Sequence, residues 1–296
     1  MKVIHAAYNF IRNSEPLTLT LGNFDGIHIG HQQLIERVVQ YVDTKRAVLT
    51  FDPHPSSVLR DQPFRTLTQK ADKIKLFAEY DLDLVMFIQF NEAFSQLRIP
   101  EFIEFLKSIN IRRIVMGRDA RFGYRGEGTV YHLKRYFHVI ILDDILFNHT
   151  RVSSSYVKDL LLDADLNQAA RLLNRPYTVH GTVIKGNNIG KQLGFPTANI
   201  DFGNYFMPKN GVYYVRIKVD GVWLKGMANI GNNPTINFSF DRRLEVYILD
   251  FKQNIYGKRI ELSFYQYLRP EMKFKNRDGL IQQLKKDEST IRKLTI

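Results

Sequence analysis

Cysteine is absent from this 296-residue chain, and tryptophan occurs once. Without cysteine the protein has no disulfide scaffold, no thiol nucleophile and no thiolate metal site. No apolar run approaches the roughly 20 residues that a membrane-spanning helix needs. The N-terminal stretch is interrupted by His5, Asn9 and Arg12 and does not have the pattern of a signal peptide. These absences predict a cytoplasmic protein without a membrane association.

Acidic residues are the smaller charged class, with 30 Asp and Glu against 42 Lys and Arg, so the formal net charge is +12. Such a balance suits nucleic acid, an anionic membrane surface or phosphorylated small molecules. The basic residues are spread along the chain, with short clusters at 112–113, 242–243 and 285–286. This spread favours phosphate-rich ligands and predicts no nucleic-acid partner. An RNA-binding protein remains an alternative that the charge alone suggests.

The chain length predicts two domains. In the first half, short β-branched runs alternate with stretches of helical period, which predicts a doubly wound α/β domain with a parallel sheet. Ligands of such domains lie at the carboxyl ends of the strands. The predicted strands are 16–21, 46–51, 84–88, 113–116 and 138–142, and the predicted helices are 31–42, 69–80, 99–109 and 129–137.

From Tyr177 onward the period changes to two, with Val215, Ile217 and Val219 alternating with polar residues. This pattern, punctuated by glycine and asparagine, predicts an all-β antiparallel sheet or small barrel. An amphipathic C-terminal helix could cover one barrel opening. We therefore expect an α/β domain over 1–155, linker helices over 156–175 and a β-barrel domain over 176–296.

The segment 19–35, LTLGNFDGIHIGHQQLI, places a strand, a glycine-containing turn and a helix start in succession. A helix N-terminus after a parallel strand is an anion site because its N–H groups are free and its end is partially positive. His28 and His31 add imidazoles that can donate hydrogen bonds to phosphoryl oxygens. The pattern predicts phosphate chemistry at this turn.

HIGH at 28–31, inside GNFDGIHIGH, resembles the signature of the HIGH-type nucleotidyltransferases. The longer frame resembles their flavin-making branch, the bacterial bifunctional riboflavin kinase/FAD synthetases. FDPHP at 51–55, MGRDARFGYRGEG at 116–128 and VSSSYVKDLL at 152–161 resemble three further segments in that family's order. The resemblance implies an FMN adenylyltransferase with His28 and His31 as catalytic residues. It implies ATP contacts by Gly22, Phe24, Asp25, Gly30, Ser153, Ser154, Ser155 and Lys158, and flavin contacts by Asp119 and Phe122.

Each of these segments also has an interpretation from its residues alone. The glycine-rich segment 116–128 would suit closure over a polar ligand or be a solvated loop. The serines at 153–155 would suit a triphosphate or the capping of a helix. The family's pattern is altered at Ala120, Ser155 and Lys158, and lysine lacks the bidentate fork of arginine. One alternative is therefore an enzyme in which only one half is active, with the N-terminal half the weaker.

The segment 175–200, RPYTVHGTVIKGNNIGKQLGFPTANI, contains glycines that could cradle phosphates, followed by a turn. Thr197 and Asn199 are two residues apart in an extended segment, so both side chains are on the same side. Their oxygens could ligate Mg²⁺ alongside nucleotide oxygens, or simply satisfy the backbone of a turn.

This segment resembles the riboflavin kinase signature GxVxxGxxxGRxLGFPTANI, with Lys191 in place of its arginine. The resemblance implies ATP contacts by Gly181, Gly186, Gly190 and Lys191 and a metal site at Thr197 and Asn199. Glu245 is at the position of the family's general base, and Arg269 and Glu271 are at positions of flavin-site or structural residues. Asn174 replaces a glycine at a helix end, where asparagine also tolerates a left-handed backbone.

The expected function is the phosphorylation of riboflavin to FMN and the adenylylation of FMN to FAD, with ATP as co-substrate and Mg²⁺ as cofactor. The expected ligands are riboflavin, FMN, FAD and ATP. The oligomeric state is not predicted. A regulatory protein that binds flavin without turning it over is an alternative. The presence of HIGH, PTAN and Glu245 together argues against that alternative, because an inactive module would not need all three.

Overall fold

A computed structural model describes residues 1–60, 64–186, 190, 193–232 and 242–294. The chain divides into two compact units, Met1–Ser154 and Ser155–Ile296, which we call unit 1 and unit 2. Over those described ranges, no helix is both long and apolar enough to cross a membrane.

Unit 1 is built on a six-stranded sheet in the order β1-β4-β3-β2-β5-β8, and every neighbouring pair is parallel. The predicted strands are confirmed. The inner strands β2, β3 and β4 bury their apolar residues on both faces, whereas the edge strand β8 is only partly buried. The edge strand β1 was missed, because its exposed Lys2 and His5 interrupt the apolar pattern. The strands of unit 1 are β1 Lys2–Ala6, β2 Leu17–Leu21, β3 Lys45–Asp52, β4 Leu84–Gln89, β5 Ile111–Gly117, β6 Arg121–Phe122, β7 Gly128–Thr129, β8 His138–Leu142, β9 Leu146–Phe147 and β10 Thr150–Arg151.

Helices cover both faces of this sheet, as a doubly wound fold requires. They are α1 Ile29–Val39, α2 Pro55–Leu59, α3 Lys70–Phe77, α4 Glu92–Ser95, α5 Ile99–Ser108 and α6 Val130–Leu133. One core contains Phe77 of α3 and Ile35 of α1, and a separate core contains Phe102 and Phe105 of α5. The predicted helix over 129–137 ends at Leu133, whose carbonyl accepts from the N–H groups of the following turn.

The strand order places a topological switch point next to β2. From β2 the chain proceeds to β3 on one side, and it later returns to β5 on the other side. In open α/β sheets the crevice at the carboxyl end of such a point is where ligands bind. The turn that follows β2 carries the segment Gly22–Gly26 and the two histidines.

Unit 2 is a closed antiparallel barrel in the order β11-β12-β15-β14-β13-β16, which confirms the predicted barrel. Its strands are β11 Tyr177–Ile184, β12 Thr197–Asp201, β13 Gly211–Val219, β14 Val222–Asn232, β15 Arg242–Ile248 and β16 Arg259–Arg269. Val215, Ile217 and Val219 point inward and are buried, as their alternation predicted.

In the part of unit 2 that the structure describes, three helices accompany the barrel. They are α7 Ser154–Leu162, α8 Leu166–Leu173 and α9 Arg277–Lys293. Helix α8 packs on β11 and β16, and it ends at Asn174, whose φ of 60° is left-handed. Helix α9 packs Leu284 and Ile291 against barrel residues that include Phe195 and Met227.

Candidate functional site

The turn after β2 is held by hydrogen bonds from two other elements of unit 1. The N–H of Gly22 donates to the carbonyl of Leu49 on β3 at 3.1 Å. The carbonyl of Asn23 accepts from Thr50 Oγ1 at 3.2 Å and from Lys73 Nζ at 2.6 Å. A backbone group with a hydroxyl donor and an ammonium donor is strongly constrained, because charge-assisted hydrogen bonds are the stronger class. Lys73, on α3, was not singled out from the sequence.

Asp25 organises the middle of this turn. Its Oδ1 accepts from the N–H groups of Leu67 and Thr68 at 2.7 and 3.1 Å, and its carbonyl accepts from Ser154 Oγ at 2.8 Å. Thr68 Oγ1 in turn accepts from the N–H of Gly26 at 2.9 Å. The side chain of Asp25 is 1% exposed. This carboxylate therefore orients the turn, and Ser154 is connected to the same turn.

The backbone of the turn enters the left-handed region repeatedly. Phe24, Gly26 and Ile27 have φ values of 48°, 83° and 43°. Non-glycine residues rarely adopt this conformation, and such residues cluster at binding and catalytic sites. The buried Phe24 ring packs edge-on against Phe77 of α3, with the centroids 5.7 Å apart. The core thus stabilises a strained turn.

The two histidines stack at the start of α1. Their ring centroids are 3.7 Å apart with an interplanar angle of 18°. His28 is the residue before the helix, and its carbonyl accepts from the N–H of His31 at 2.7 Å. A Cβ at position 30 would lie 3.3 Å from the His28 ring, so Gly30 leaves that ring its space. The imidazoles and the helix N-terminus are therefore presented together.

Burial sets the charge state of this cluster. Desolvation lowers the pKa of His31 well below its usual value, and the neighbouring His28 and Lys73 lower that pKa further. Burial also lowers the pKa of Lys73, which is 4% exposed. His31 Nδ1 is buried and has no hydrogen-bond partner within the described ranges. A neutral imidazole at a helix N-terminus can donate to phosphate oxygens without repelling the nearby ammonium group.

The other residues predicted for the first site have separate surroundings. Phe122 is 5% exposed and packs on Phe102, with centroids 4.8 Å apart, in the core on the α5 face of the sheet. Asp119 pairs with Arg151 at 2.5 Å. The Nζ of Lys158 in unit 2 is 5.5 Å from the ring centroid of Phe206. Each of these side chains therefore contacts the protein itself, and its contact with a ligand stays a prediction.

A cavity of about 320 Å³ lies in unit 2 and contains most residues predicted for the second site. Three adjacent strands bring them together, because Asn199 on β12 is opposite Glu245 on β15, and Glu245 is opposite Asn229 on β14. The cavity is lined by Gly190, Leu193, Phe195, Thr197, Asn199, Val212, Met227, Asn229, Arg243, Glu245, Tyr247, Arg269, Glu271, Met272, Phe274, Leu280 and Leu284. Asn229 and the apolar lining were not predicted as site residues.

Glu245 lies at the centre of this polar row. Directly opposite residues of antiparallel strands have Cβ atoms about 4.5–5.5 Å apart, so Asn199 and Asn229 flank its carboxylate. The Nε atom of Arg243 is 3.6 Å from Glu245 Oε1, and the Glu245 side chain is 23% exposed. A partly buried carboxylate with a nearby cation is available to a substrate in the cavity.

Arg269 and Glu271 line the same cavity and also have protein partners. Arg269 donates from Nε to Asp287 Oδ2 at 2.9 Å, and Nη2 is 2.8 Å from the same oxygen. Glu271 Oε1 accepts from Asn229 Nδ2 at 3.4 Å. A Cβ at Gly231 would overlap this carboxylate, so a larger residue there would require Glu271 to move from its place against β14.

The predicted phosphate-loop glycines differ in their surroundings. Gly181 is within β11, where a Cβ would overlap Ile200, so close strand packing explains this glycine. Gly186 passes over the amide of Asn199, which a Cβ would overlap. Gly190 lines the cavity, 3.1 Å from Thr197 Oγ1 at its ideal Cβ position. Lys191 lies outside the described residues.

Thr197 and Asn199 both line the cavity, and side-chain oxygens of this kind suit a hard cation such as Mg²⁺, which prefers oxygen ligands. Nowhere in the described part of the chain do three or more His, Asp or Glu side chains form a group that could hold a metal ion, so a cation at this cavity would rely on neutral oxygens and on the phosphate oxygens of its substrate. The donor set at the cavity therefore fits the predicted cofactor in its chemistry.

Two family models match separate parts of the chain. The riboflavin kinase model matches residues 173–295, and the FAD synthetase model matches residues 10–156. A bifunctional riboflavin kinase/FMN adenylyltransferase from Listeria monocytogenes is 40% identical over 285 residues, which cover 93% of this chain and 91% of that protein. The protein of the same name from Bacillus subtilis is 34% identical, with coverage of 97% and 96%.

A solved structure is similar over almost the whole chain. It is a crystal structure described as a macrolide-efflux protein from Streptococcus pneumoniae, with a TM-score of 0.88, 30% identity and 99% coverage of both chains. The similarity extends through both units and includes the segments that carry the two sites.

Proposed function

Since the chain belongs to the family of bifunctional riboflavin kinase/FMN adenylyltransferases, we propose that unit 1 carries the adenylyltransferase site and unit 2 carries the kinase site. The enzyme converts riboflavin to FMN and FMN to FAD, with ATP as substrate of both reactions. The matched ranges 10–156 and 173–295 support this division of the two activities.

The kinase assignment rests mainly on the convergence of Thr197, Asn199 and Glu245 at one cavity. In this reaction the terminal ribityl hydroxyl attacks the γ-phosphorus of ATP, the new O–P bond forms, and the bond to the β-phosphate oxygen breaks. Glu245 accepts the hydroxyl proton, because the acceptor alcohol must lose it as it attacks. The products are FMN and ADP. The apolar lining contributed by Phe195, Met227 and Leu284 suits the flat flavin ring.

Thr197 and Asn199 would hold Mg²⁺ through their side-chain oxygens. When bound together with ATP, the ion supplies positive charge that offsets the phosphate charge developing in phosphoryl transfer. The remaining work of the site is positioning, which explains why few acid–base groups line the cavity. Arg243 places a cation 3.6 Å from Glu245 Oε1, next to the group that accepts the proton.

The adenylyltransferase assignment rests on the stacked histidines at the switch point of the sheet. Here an FMN phosphate oxygen attacks the α-phosphorus of ATP, and pyrophosphate leaves. His28, His31 and the N-terminus of α1 donate to the phosphate oxygens as negative charge moves to the leaving group. The hydrogen bonds at Asp25 and Asn23 fix the turn, so these donors are already oriented before the substrate reacts. The free energy that would otherwise be needed to reorient them does not add to the barrier.

Product chromatography tests this proposal directly. Purified protein is incubated with riboflavin, ATP and Mg²⁺, and riboflavin, FMN and FAD are separated over time. We expect FMN to appear first and FAD to follow. FMN without FAD would support an enzyme with one active half, and unchanged riboflavin would support a flavin-binding regulator. Neither outcome is compatible with the proposal.

A further inference from the structure

The cavity of unit 2 is closed on one side by helix α9, which reaches it through two kinds of contact. Leu280 and Leu284 contribute apolar side chains to the cavity lining. Asp287, less than one turn beyond Leu284, pairs with Arg269, which lines the cavity from the end of β16. The helix and the cavity wall are therefore connected by one ion pair next to the binding space.

This ion pair is buried and fully organised. The side chains of Arg269 and Asp287 are 13% and 6% exposed. Asp287 Oδ2 accepts from Arg269, whereas Oδ1 accepts from Gln283 Nε2 at 2.8 Å on the same helix. Arg269 also donates to the carbonyl of Pro270 at 3.1 Å. Both carboxylate oxygens are thus engaged, and the guanidinium has a defined orientation.

A second ion pair on the same helix provides a contrast. Arg292 donates to both carboxylate oxygens of Asp250 at 2.7 Å, and the Asp250 side chain is 72% exposed. Neither residue lines the cavity. Exposed pairs contribute little to stability because water and salt screen them. The pair between Arg269 and Asp287 is buried and lies next to the binding space. An ion pair that only attached α9 to the barrel could lie elsewhere, as the pair between Arg292 and Asp250 does.

We propose that Asp287 is a positioning residue for riboflavin: its carboxylate orients Arg269 at the cavity wall and holds the Leu280–Leu284 segment of α9 against the flavin. The proposal rests on the assignment of the kinase site to this cavity. Asp287 acts through Arg269 and α9 and does not touch the reacting atoms. Its loss should therefore weaken riboflavin binding more than it slows phosphoryl transfer.

The test is a double-mutant cycle with Asp287→Leu, Arg269→Met and the double variant, with Asp287→Asn as a milder change. Kinase kcat and riboflavin KM are measured at saturating ATP, and FAD synthesis from supplied FMN is measured on each preparation. We expect Asp287→Asn and Asp287→Leu to raise riboflavin KM about 10- to 100-fold, since loss of one well-oriented hydrogen bond from a charged group changes affinity by roughly that factor. The fall in kcat should be smaller than the rise in KM.

In the Arg269→Met background, Asp287→Leu should cause little further rise in KM, because the group through which Asp287 acts is already gone. The double variant should also regain thermal stability lost in the single variants, since each single change leaves a buried charge without its partner. The double variant separates stability from positioning, and it remains informative if the single variants fail to fold.

Asp250→Asn is the matched control, because it breaks an exposed ion pair between α9 and the barrel, and asparagine tolerates the left-handed φ of 56° at that position. It should leave riboflavin KM unchanged. A double variant with both wild-type stability and wild-type KM would overturn the proposal, because the pair would then be only structural. Unfolding of every variant, the double one included, would overturn it as well. A wild-type protein that makes no FMN would instead refute the proposed kinase assignment.

Discussion

The two sites differ in how the chain supplies their residues. In unit 1 the central groups follow one another along the chain, from Gly22 to His31, and form one turn and one helix start. In unit 2 they come from three separate strands, with Asn199 and Asn229 on either side of Glu245. The first site is therefore a local conformation held by its surroundings, and the second is a product of barrel register.

This difference determines how each site can be damaged. The backbone of the turn in unit 1 accepts hydrogen bonds from β3 and α3 and donates one to Thr68 Oγ1, so loss of one partner distorts a contiguous element. The cavity of unit 2 depends on strand pairing. Substitution of a single side chain leaves that pairing intact. We expect variants in unit 2 to separate chemistry from folding more cleanly than variants in the turn of unit 1.

The largest expected effect comes from His28→Ala, which should abolish the conversion of FMN to FAD and leave riboflavin phosphorylation nearly unchanged. His28 is 5% exposed and stacks on His31, so its removal takes away one donor and loosens the other. Both half-reactions are measured on the same preparation, with circular dichroism to confirm folding. Parallel loss of both activities in folded protein would show that the two sites are not independent.

Glu245→Gln should lower kinase turnover by about 10²–10⁴-fold, the usual contribution of a positioned general base. Glutamine keeps the size and most hydrogen bonding, but it cannot accept the hydroxyl proton. Riboflavin and ATP binding should change little, because the lost interaction matters mainly in the transition state. The check is steady-state kinetics of both half-reactions.

FAD synthesis from supplied FMN is the control for Glu245→Gln, because the proposal assigns that reaction to unit 1. Asn229, which was not predicted from the sequence, gives a comparison within the same row. Asn229→Ala should lower kinase kcat by a smaller factor than Glu245→Gln does, because asparagine does not accept the proton. Near-normal kinase turnover in Glu245→Gln would remove Glu245 as the base.

The predictability of each site from sequence follows the same contrast. The turn of unit 1 was recognisable because its glycines, Asp25 and the histidines are contiguous and follow a clear strand. Lys73 and Thr68 were missed, because their link to the turn comes from tertiary packing of a segment about 45 residues away. No local pattern distinguishes Lys73 from the other lysines of an amphipathic helix. The same limit hid strand β1, whose pairing with β4 depends on distant residues.

In unit 2 the alternating pattern predicted the barrel, but it could not predict the strand order or the register. That order places Asn229 next to Glu245, and the packing of α9 on the barrel brings Asp287 to Arg269. The resemblance supplied Glu245 and Arg269, whereas α9 had only been expected to cover a barrel opening. Side-chain partners across a closed barrel follow from register, which has no signal in a single strand.

Substitutions of Lys158 distinguish a role in ATP binding from a role in stability. If Lys158 contacts ATP phosphate, Lys158→Ala should slow FAD synthesis roughly tenfold to hundredfold, or about 1.5–3 kcal/mol, and Lys158→Arg should preserve or improve it. If the contact with Phe206 dominates, Lys158→Ala should instead lower thermal stability by about 0.5–1 kcal/mol without a change in FAD synthesis. Rates and melting curves of the three proteins decide between these outcomes.

The pH dependence of stability should also differ between the units. The pKa of His31 is lowered mainly by burial, so the unfolded chain binds a proton near pH 6.5 that the folded chain does not. Unit 1 should therefore keep this stability above about pH 6.5 and lose it as pH falls from there through the lowered pKa. In unit 2, burial raises the pKa of Tyr213, so stability should fall as pH rises above about 10.

Calorimetric melting of the whole chain between pH 5 and 8, and again near pH 10–11, measures these dependences. The His31→Asn variant is the control for the acid range, because it lacks the titrating imidazole. Its melting should depend less on pH below about 6.5 than that of the wild type. An equal acid dependence in both proteins would show that other groups control the response.

The smallest expected effects concern two left-handed residues that flank α8. Asn174 ends the helix with φ 60° and ψ 21°, and its N–H donates to the carbonyls of Ala170 and Arg171. Ala164, just before the helix, has a φ of 61° without the local hydrogen-bonding side chain that makes this conformation easier for asparagine. Asn174→Ala should therefore destabilise unit 2 by about 1 kcal/mol, and Ala164→Gly should stabilise it by about 0.5–1 kcal/mol.

Since α8 packs on β11 and β16, the two changes should shift the melting of the barrel in opposite directions, by about 3–5 °C for each kcal/mol. Neither side chain lines the cavity, so kinase kcat and riboflavin KM should remain those of the wild type. If Asn174→Ala and Ala164→Gly moved only a transition distinct from that of the barrel, α8 would not fold together with unit 2. Residues 156–175 would then be a linker between the units, as the sequence alone had predicted, and the backbone strain at these two positions would have no bearing on the kinase site.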